Sequence, residues 1–177
     1  MHQTLKCHPD TRCDAVTRVE VEASRPRLGR LALRYIVSGE IAGLRLPRIA
    51  EPTRTDGLWK HACFEAFLRS TTGGAYDEFN FSPSTQWAAY RFEAYRSGVR
   101  AAEIAAPHIA VQSDAATFEL QVLLELPGDA AWRLGLSAVI EETSGRLSYW
   151  ALKHPPGKPD FHHSDCFALE LPAPSRP

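Results

Sequence analysis

The sequence predicts an all-β fold, an antiparallel β-sandwich of two sheets, jelly-roll-like and with little helix. Three observations carry this. Apolar residues recur with period two in one segment after another. Turn-forming residues separate those segments at spacings of about 8 to 12 residues, and the apolar spacing almost nowhere follows a helical period. A closed barrel of the same strands would satisfy the same alternation and is the competing architecture.

Taken in order, residues 1–14 are polar, carry His8, Pro9 and Asp10, and read as a flexible lead-in. The expected domain covers residues 15–172. In 16–23, Val19, Val21 and Ala23 alternate with Arg18, Glu20 and Glu22, as in a half-buried strand, and Leu31, Leu33, Tyr35 and Val37 repeat the pattern after a Pro- and Gly-containing turn. Residues 41–55 hold two prolines, a glycine and scattered charges, which reads as a long loop or a broken edge strand. Residues 60–69 and 77–81 form two strands about a Gly-Gly turn, and residues 86–94 form the next. The Ala-rich span 99–106 predicts a turn of helix stopped by Pro107, with a short strand at 109–112. Phe118, Leu120, Val122, Leu124 and Leu126 give the cleanest alternating row, broken by Pro127-Gly128-Asp129. Residues 134–142 and 146–152 then pair across a Thr-Ser-Gly turn, 166–171 is the last strand, and the proline-rich tail 173–177 frays.

The totals restrict the function classes. At 177 residues the chain suits one domain with a sizeable core. Its 20 Lys plus Arg balance 21 Asp plus Glu, and no basic run tracks a phosphate backbone, so nucleic acid is not an expected partner. No window approaches the roughly 20 apolar residues of a membrane span, and the start lacks the apolar core of a signal peptide, which predicts no membrane partner and a cytoplasmic location. The four cysteines, Cys7, Cys13, Cys63 and Cys166, form no CxxC pair and read most simply as free thiols.

The stretch from Asp56 to Pro83 organises the rest. Period two divides 60–69 into Ala62, Phe64, Ala66 and Leu68 on one face and His61, Cys63, Glu65 and Phe67 on the other. Glu65 is out of place between Cys63 and Phe67. Burying an unpaired carboxylate costs several kcal/mol, so Glu65 must reach water or a partner, which makes it the first candidate for a ligand contact. Glu78 and Asn80 share one face of the following strand, opposite Asp77, Phe79 and Phe81.

The phrases DGLWKHACFEAFL (56–68), YDEFNFSPSTQWAAYRF (76–92), LPGDAAWRLGLSAVIEE (126–142) and SYWAL (148–152) resemble the DOMON-like group related to family 9 carbohydrate-binding modules. The likeness covers residues 16–171. It implies a sandwich of two antiparallel sheets that binds a sugar or, in other branches, haem. In the sugar-binding branch a tryptophan stands six residues before a glutamate, and a second tryptophan far downstream closes on the other face of the sugar. Trp59 and Glu65 have that spacing, and Trp150 lies where the second ring would. The polar residue three positions before that ring is here Leu147, and Arg91 is the candidate for the sugar-contacting arginine. Physically, an aromatic face covers the C–H face of a pyranose while carboxylates and amides bond its hydroxyls. The competing reading makes both tryptophans core residues and pairs Glu65 with Arg91 or Lys153.

The segment 154–165, HPPGKPDFHHSD, gathers His154, His162, His163, Asp160 and Asp165 ahead of Cys166. Such density can hold a divalent ion, but its spacing matches no defined motif, and adjacent histidines in an extended chain point to opposite faces; the segment also reads as a loop lining the ligand pocket or as a solvated loop stiffened by its prolines. His154, four residues after Trp150, is the best placed for a ligand. Haem branches of the resembled group commonly use methionine as an axial ligand. Met1 is the only methionine, which leaves a histidine pair such as His61 and His154. No cofactor is therefore expected. Glu65 and Glu78 could be read as an acid/base pair for glycoside hydrolysis, yet the common enzyme signatures GxSxG, HExxH and the phosphate loop are absent. The sequence thus predicts non-catalytic binding of a carbohydrate-like molecule by Trp59, Glu65, Glu78, Asn80, Arg91, Trp150 and His154. The alternatives are a scaffold domain whose pocket is filled by its own side chains, or a metal-dependent enzyme built on the His-rich loop.

Overall fold

The computed structural model describes residues 1–71, 73–126 and 130–173. Twelve strands run through them: β1 (His2–Cys7), β2 (Val16–Ser24), β3 (Arg30–Gly39), β4 (Cys63–Ser70), β5 (Tyr76–Phe81), β6 (Trp87–Phe92), β7 (Arg100–Ala101), β8 (His108–Ser113), β9 (Thr117–Glu125), β10 (Trp132–Glu141), β11 (Leu147–Ala151) and β12 (Leu169–Leu171). The only helical pieces among the described residues are 3-10 turns at Ile41–Gly43, Leu58–Lys60 and Ser164–Cys166. No helix among the described residues is long and apolar enough to cross a membrane.

All strand pairs are antiparallel, in the order β7-β6-β5-β4-β10-β11-β1-β2-β3-β9-β8, with β12 on β10. The ladder is continuous because β1 belongs to two neighbours: its first residues pair with β2, and Lys6 and Cys7 pair with β11. Around that seam the sheet folds back on itself, so β2, β3 and β9 lie over β4, β5, β6, β10 and β11. Their facing sides share one apolar core. Val19, Val21, Leu33, Tyr35, Phe118 and Leu120 come from one side, and Phe64, Ala66, Phe79, Phe81, Leu136 and Ala138 from the other. Phe64 stacks on Phe118 at 5.8 Å, and the Tyr35 hydroxyl donates across the interior to the Glu65 carbonyl at 2.8 Å. The fold is the β-sandwich expected from the alternation, with one edge stitched by β1.

The two halves differ in how much water they see. Strands β2, β3 and β9 alternate buried and partly exposed residues, as half-buried strands do, whereas all six residues of β5 are buried. The second cover on β5 and its neighbours is the segment 153–167. Phe161 and Phe167 join Cys63, Phe67, Tyr76 and Phe92 in a smaller apolar cluster on the outer face. This cover lies close: a Cβ at Gly135 of β10 would come within 3.2 Å of the Cys166 carbonyl oxygen and 3.3 Å of Phe67.

Three sequence expectations change. Residues 1–14 are no loose lead-in: β1 buries Leu5 to 2 % exposure, and His8 lies buried at 1 %. One inward side chain in a polar strand gives too little alternation to read. Residues 99–106 form no helical turn; they hold the two-residue edge strand β7 and no other regular element. The last strand begins at Leu169, because residues 164–166 turn to seat Cys166 against the sheet. The expected break at Pro127-Gly128-Asp129 and most of the fraying tail, 174–177, lie outside the described residues, as does Thr72 in the turn between β4 and β5.

Because β1 holds the seam, Leu5→Ala is predicted to lower the unfolding free energy by about 2–5 kcal/mol. Tyr35→Phe, which removes the hydroxyl donated to the Glu65 carbonyl, is predicted to lower it by about 0.5–1.5 kcal/mol. Urea denaturation checks both, and a Leu5→Ala protein as stable as wild type would restore the loose lead-in.

Candidate functional site

A cavity of about 400 Å³ opens on the outer face of the doubly covered half. The alternation of each strand decides what lines it. Glu65 and Phe67 point into it from β4, Glu78 from β5, Tyr90 and Phe92 from β6, Val139 from β10 and Tyr149 from β11. Cross-strand register puts these on one face: Phe67 lies opposite Glu78, Glu78 opposite Tyr90, and Val139 opposite Tyr149. Loops supply the rest, with Trp59 from the turn at 58–60, Arg96 and Val99 from the segment after β6, and Pro159, Phe161 and His162 from the covering segment.

Two carboxyl groups occupy this mostly aromatic space. Glu65 is 3 % exposed and Glu78 6 %. Glu65 accepts a hydrogen bond from Ser137 Oγ at 3.2 Å, and its carboxyl has no other hydrogen bond among the described residues. Glu78 Oε1 accepts from Asn80 Nδ2 at 2.8 Å. Burial first, and then the nearby Glu78, push the Glu65 carboxyl well above the ordinary carboxylate range. Burial also raises Glu78, against the opposing pull of its Asn80 bond and of the Arg96 charge. Each carboxyl therefore resists ionising, and a charge on Glu78 makes ionisation of Glu65 harder still.

The basic groups nearby do not answer them. The backbone N–H of Arg96 donates to the Tyr76 hydroxyl at 3.2 Å, and that hydroxyl lies 2.8 Å from His162 Nδ1. With the hydroxyl donating to Nδ1, the ring proton sits on Nε2, 3.7 Å from Glu78 Oε2. Burial, and secondarily the Arg96 charge, hold His162 down to about 4, so at neutral pH it is a neutral imidazole rather than half of an ion pair. The guanidinium of Arg96 is bonded to Asp160 at 2.7 and 3.2 Å, and Tyr95 donates to the same carboxylate. At the mouth Tyr90 donates to Asp56 at 2.6 Å, and Trp59 meets Tyr90 edge-on at 6.0 Å. Trp59 is 41 % exposed, unusual for an indole with a free apolar face.

Of the residues singled out from the sequence, the fold brings Trp59, Glu65 and Glu78 to the cavity, with Asn80 behind Glu78. It takes the other three elsewhere. Trp150 lies opposite Ala138, on the inward side of β11, where it is 7 % exposed in the main core and donates to Ser148 Oγ at 3.0 Å. It therefore cannot close over a ligand held by Trp59. Arg91 shares the parity of Trp87 and Ala89, whose side chains face the core, and pairs with Asp77 at 2.7 Å. His154 turns toward the β1 seam: it bonds the Lys6 carbonyl at 2.7 Å and meets His8 edge-on at 4.8 Å. The competing partners for Glu65 are occupied as well, Arg91 by Asp77 and Lys153 by Asp165 at 4.0 Å.

The residues that the sequence reading missed are Tyr90, Phe92, Tyr149, Phe161 and Arg96. Tyr90 and Phe92 were legible as the outward partners of Trp87 and Ala89, and the reading of 154–165 as a pocket-lining loop holds for Pro159, Phe161 and His162. For the His-rich loop, no group of three or more His, Cys, Asp or Glu side chains gathers among the described residues in a way that could hold a metal. His61, one of the histidines considered for haem, bonds Glu141 at 2.9 Å. The cysteines are free, and burial pushes the Cys166 thiol up to about 12.

No protein-family model matches this sequence, and no curated protein matches it. Solved structures do match in fold. The "putative carbohydrate-binding protein" of Bacteroides uniformis superposes with a TM-score of 0.65 at 12% identity, over 93% of this chain and 83% of that one. A family 9 carbohydrate-binding module from Caldicellulosiruptor kristjanssonii matches in its complex with cellotriose, with a TM-score of 0.55 at 10% identity over 89% of this chain and 74% of that one. It also matches in its complex with glucose, with a TM-score of 0.54 at 10% identity over 98% and 86%. Identities this low show a shared β-sandwich architecture.

The buried acids set a pH dependence. Because the folded state raises the Glu65 carboxyl above its unfolded value of 4.5, its contribution to stability is complete below that pH and is lost as pH rises toward the folded value. His162 acts in the opposite sense, losing its contribution as pH falls from 6.5 toward about 4. Urea denaturation across pH is therefore predicted to show Glu65→Gln, which cannot ionise, gaining stability over wild type as pH rises. Parallel pH profiles would mean that Glu65 titrates like a surface carboxyl.

Proposed function

We propose that this protein is a non-catalytic, DOMON-like binding domain that takes a small carbohydrate-like, polyhydroxylated molecule into the cavity at Trp59. One observation carries the reading: an exposed indole stands at the mouth of an open, aromatic-walled cavity with two hydrogen-bonding carboxyls inside it. Its volume, about 400 Å³, is in the range of small-molecule sites. A cavity filled by its own side chains, as a scaffold role would have it, does not leave that space.

In this reading Trp59 and Tyr90 offer apolar surface to the C–H face of a ring, and Glu65 and Glu78 bond its hydroxyls. Asn80 and Ser137 hold those two carboxyls in place rather than touching the ligand. Trp150, Arg91 and His154 serve the fold. The carbohydrate-binding neighbours support a sugar as the ligand class, since the same architecture holds glucose and cellotriose in the Caldicellulosiruptor module.

Isothermal titration with a panel of mono- and disaccharides tests the proposal. At least one is predicted to bind, to be recovered unhydrolysed, and to bind Trp59→Ala about tenfold more weakly or worse. No heat from any sugar, or a Trp59→Ala protein that binds unchanged, overturns it.

A further inference from the structure

We propose that the ligand of this cavity is a basic sugar: a polyhydroxylated ring bearing a protonated amine, whose positive charge is received by Glu65 and Glu78. This rests on the sugar-site reading and names the class of sugar. It follows from a mismatch in charge inside the cavity.

Two carboxyl groups line the space, while the basic side chains lining it are Arg96 and His162. Arg96 is spent on Asp160, with two of its nitrogens on one carboxylate oxygen. His162 has one ring nitrogen tied to Tyr76, and its other lies 3.7 Å from Glu78, beyond hydrogen-bond distance. Glu65 has no ion pair among the described residues, and its sole side-chain partner there is the neutral Ser137 hydroxyl. The other groups that bear on Glu65 are the Glu78 carboxyl, the Cys63 thiol and the Tyr35 phenol, none of which carries positive charge. A side chain nine-tenths buried, aimed into a cavity and left with unused acceptor capacity is a receptor for a donor from outside the chain.

The walls match the same ligand. Trp59, Tyr90, Phe92, Tyr149 and Phe161 surround the space, and aromatic faces attract ammonium groups as well as C–H faces. Asp56, held on the Tyr90 hydroxyl, adds a further acid beside the entrance. A neutral sugar would find acceptors here but would bring no charge to offset a buried carboxylate; an ammonium brings one. On binding, the amine keeps its proton, a carboxyl gives its proton to the solvent, and the ion pair forms with charge conserved.

The test is calorimetric titration of the wild-type protein with glucosamine, glucose and N-acetylglucosamine, the last having the same ring with its amine neutralised. Slightly acidic solution keeps the glucosamine charged, and buffers of different ionisation heat count the protons released. Glucosamine is expected to bind about tenfold more tightly than the other two and to release protons, and Glu65→Gln is expected to abolish the preference. If glucose and glucosamine bind alike with no proton release, the basic-sugar inference fails while the sugar site stands. If none of the three binds but another neutral sugar does, the inference fails in the same way. If no sugar of any kind binds, both fall.

Discussion

A carboxyl group lies where two layers of apolar side chains leave it almost no water. Glu65 projects from the outer face of β4, between Cys63 and Phe67, with the main core behind the strand and the segment 153–167 in front of it. That arrangement requires a sheet covered on both sides. It exists because β1 ties the two halves of the ladder into a sandwich, and because the chain after β11 turns back over the outer face through Phe161 and Phe167. The cover stops short of sealing the sheet. What it leaves open is the cavity, with Glu65 and Glu78 among the residues lining it.

The local environment then follows from burial. A desolvated carboxyl resists ionising, and a second one beside it resists further, so the pair holds protons at a pH where surface glutamates do not. The same desolvation keeps His162 neutral, while Asp160 draws the Arg96 guanidinium to itself. The cavity therefore presents hydrogen-bonding acids to which no cation among the described residues is hydrogen-bonded. Trp59, standing at the edge with much of its indole in water, adds a flat apolar surface to that chemistry.

Much of the fold was legible because alternation is a local property. Val19 to Ala23, Leu31 to Val37 and Phe118 to Leu124 each show in sequence the faces they have in space. Glu65 was legible for the same reason, as a carboxyl between Cys63 and Phe67, and Glu78 and Asn80 were legible as two polar residues sharing one face of the next strand. Trp150 and Arg91 were misplaced because strand parity says which residues share a face, but not which face turns inward. Only the pairing of Trp150 opposite Ala138, and of Arg91 with Asp77 beside core residues, decides that. His154 and β1 depend on contacts almost 150 residues apart in the chain, as in the bond from His154 to the Lys6 carbonyl. No local pattern encodes such a contact.

The central claim is that burial at the cavity, with no described cation paired to it, holds the Glu65 carboxyl above the ordinary range. Carbon NMR of the glutamate side-chain carboxyls, recorded across pH with Glu65→Gln to assign the signal, measures this directly. The account predicts that the Glu65 resonance titrates well above 4.5 and shifts when a ligand enters. A Glu65 carboxyl that titrates in the ordinary range, indifferent to every sugar added, would contradict it.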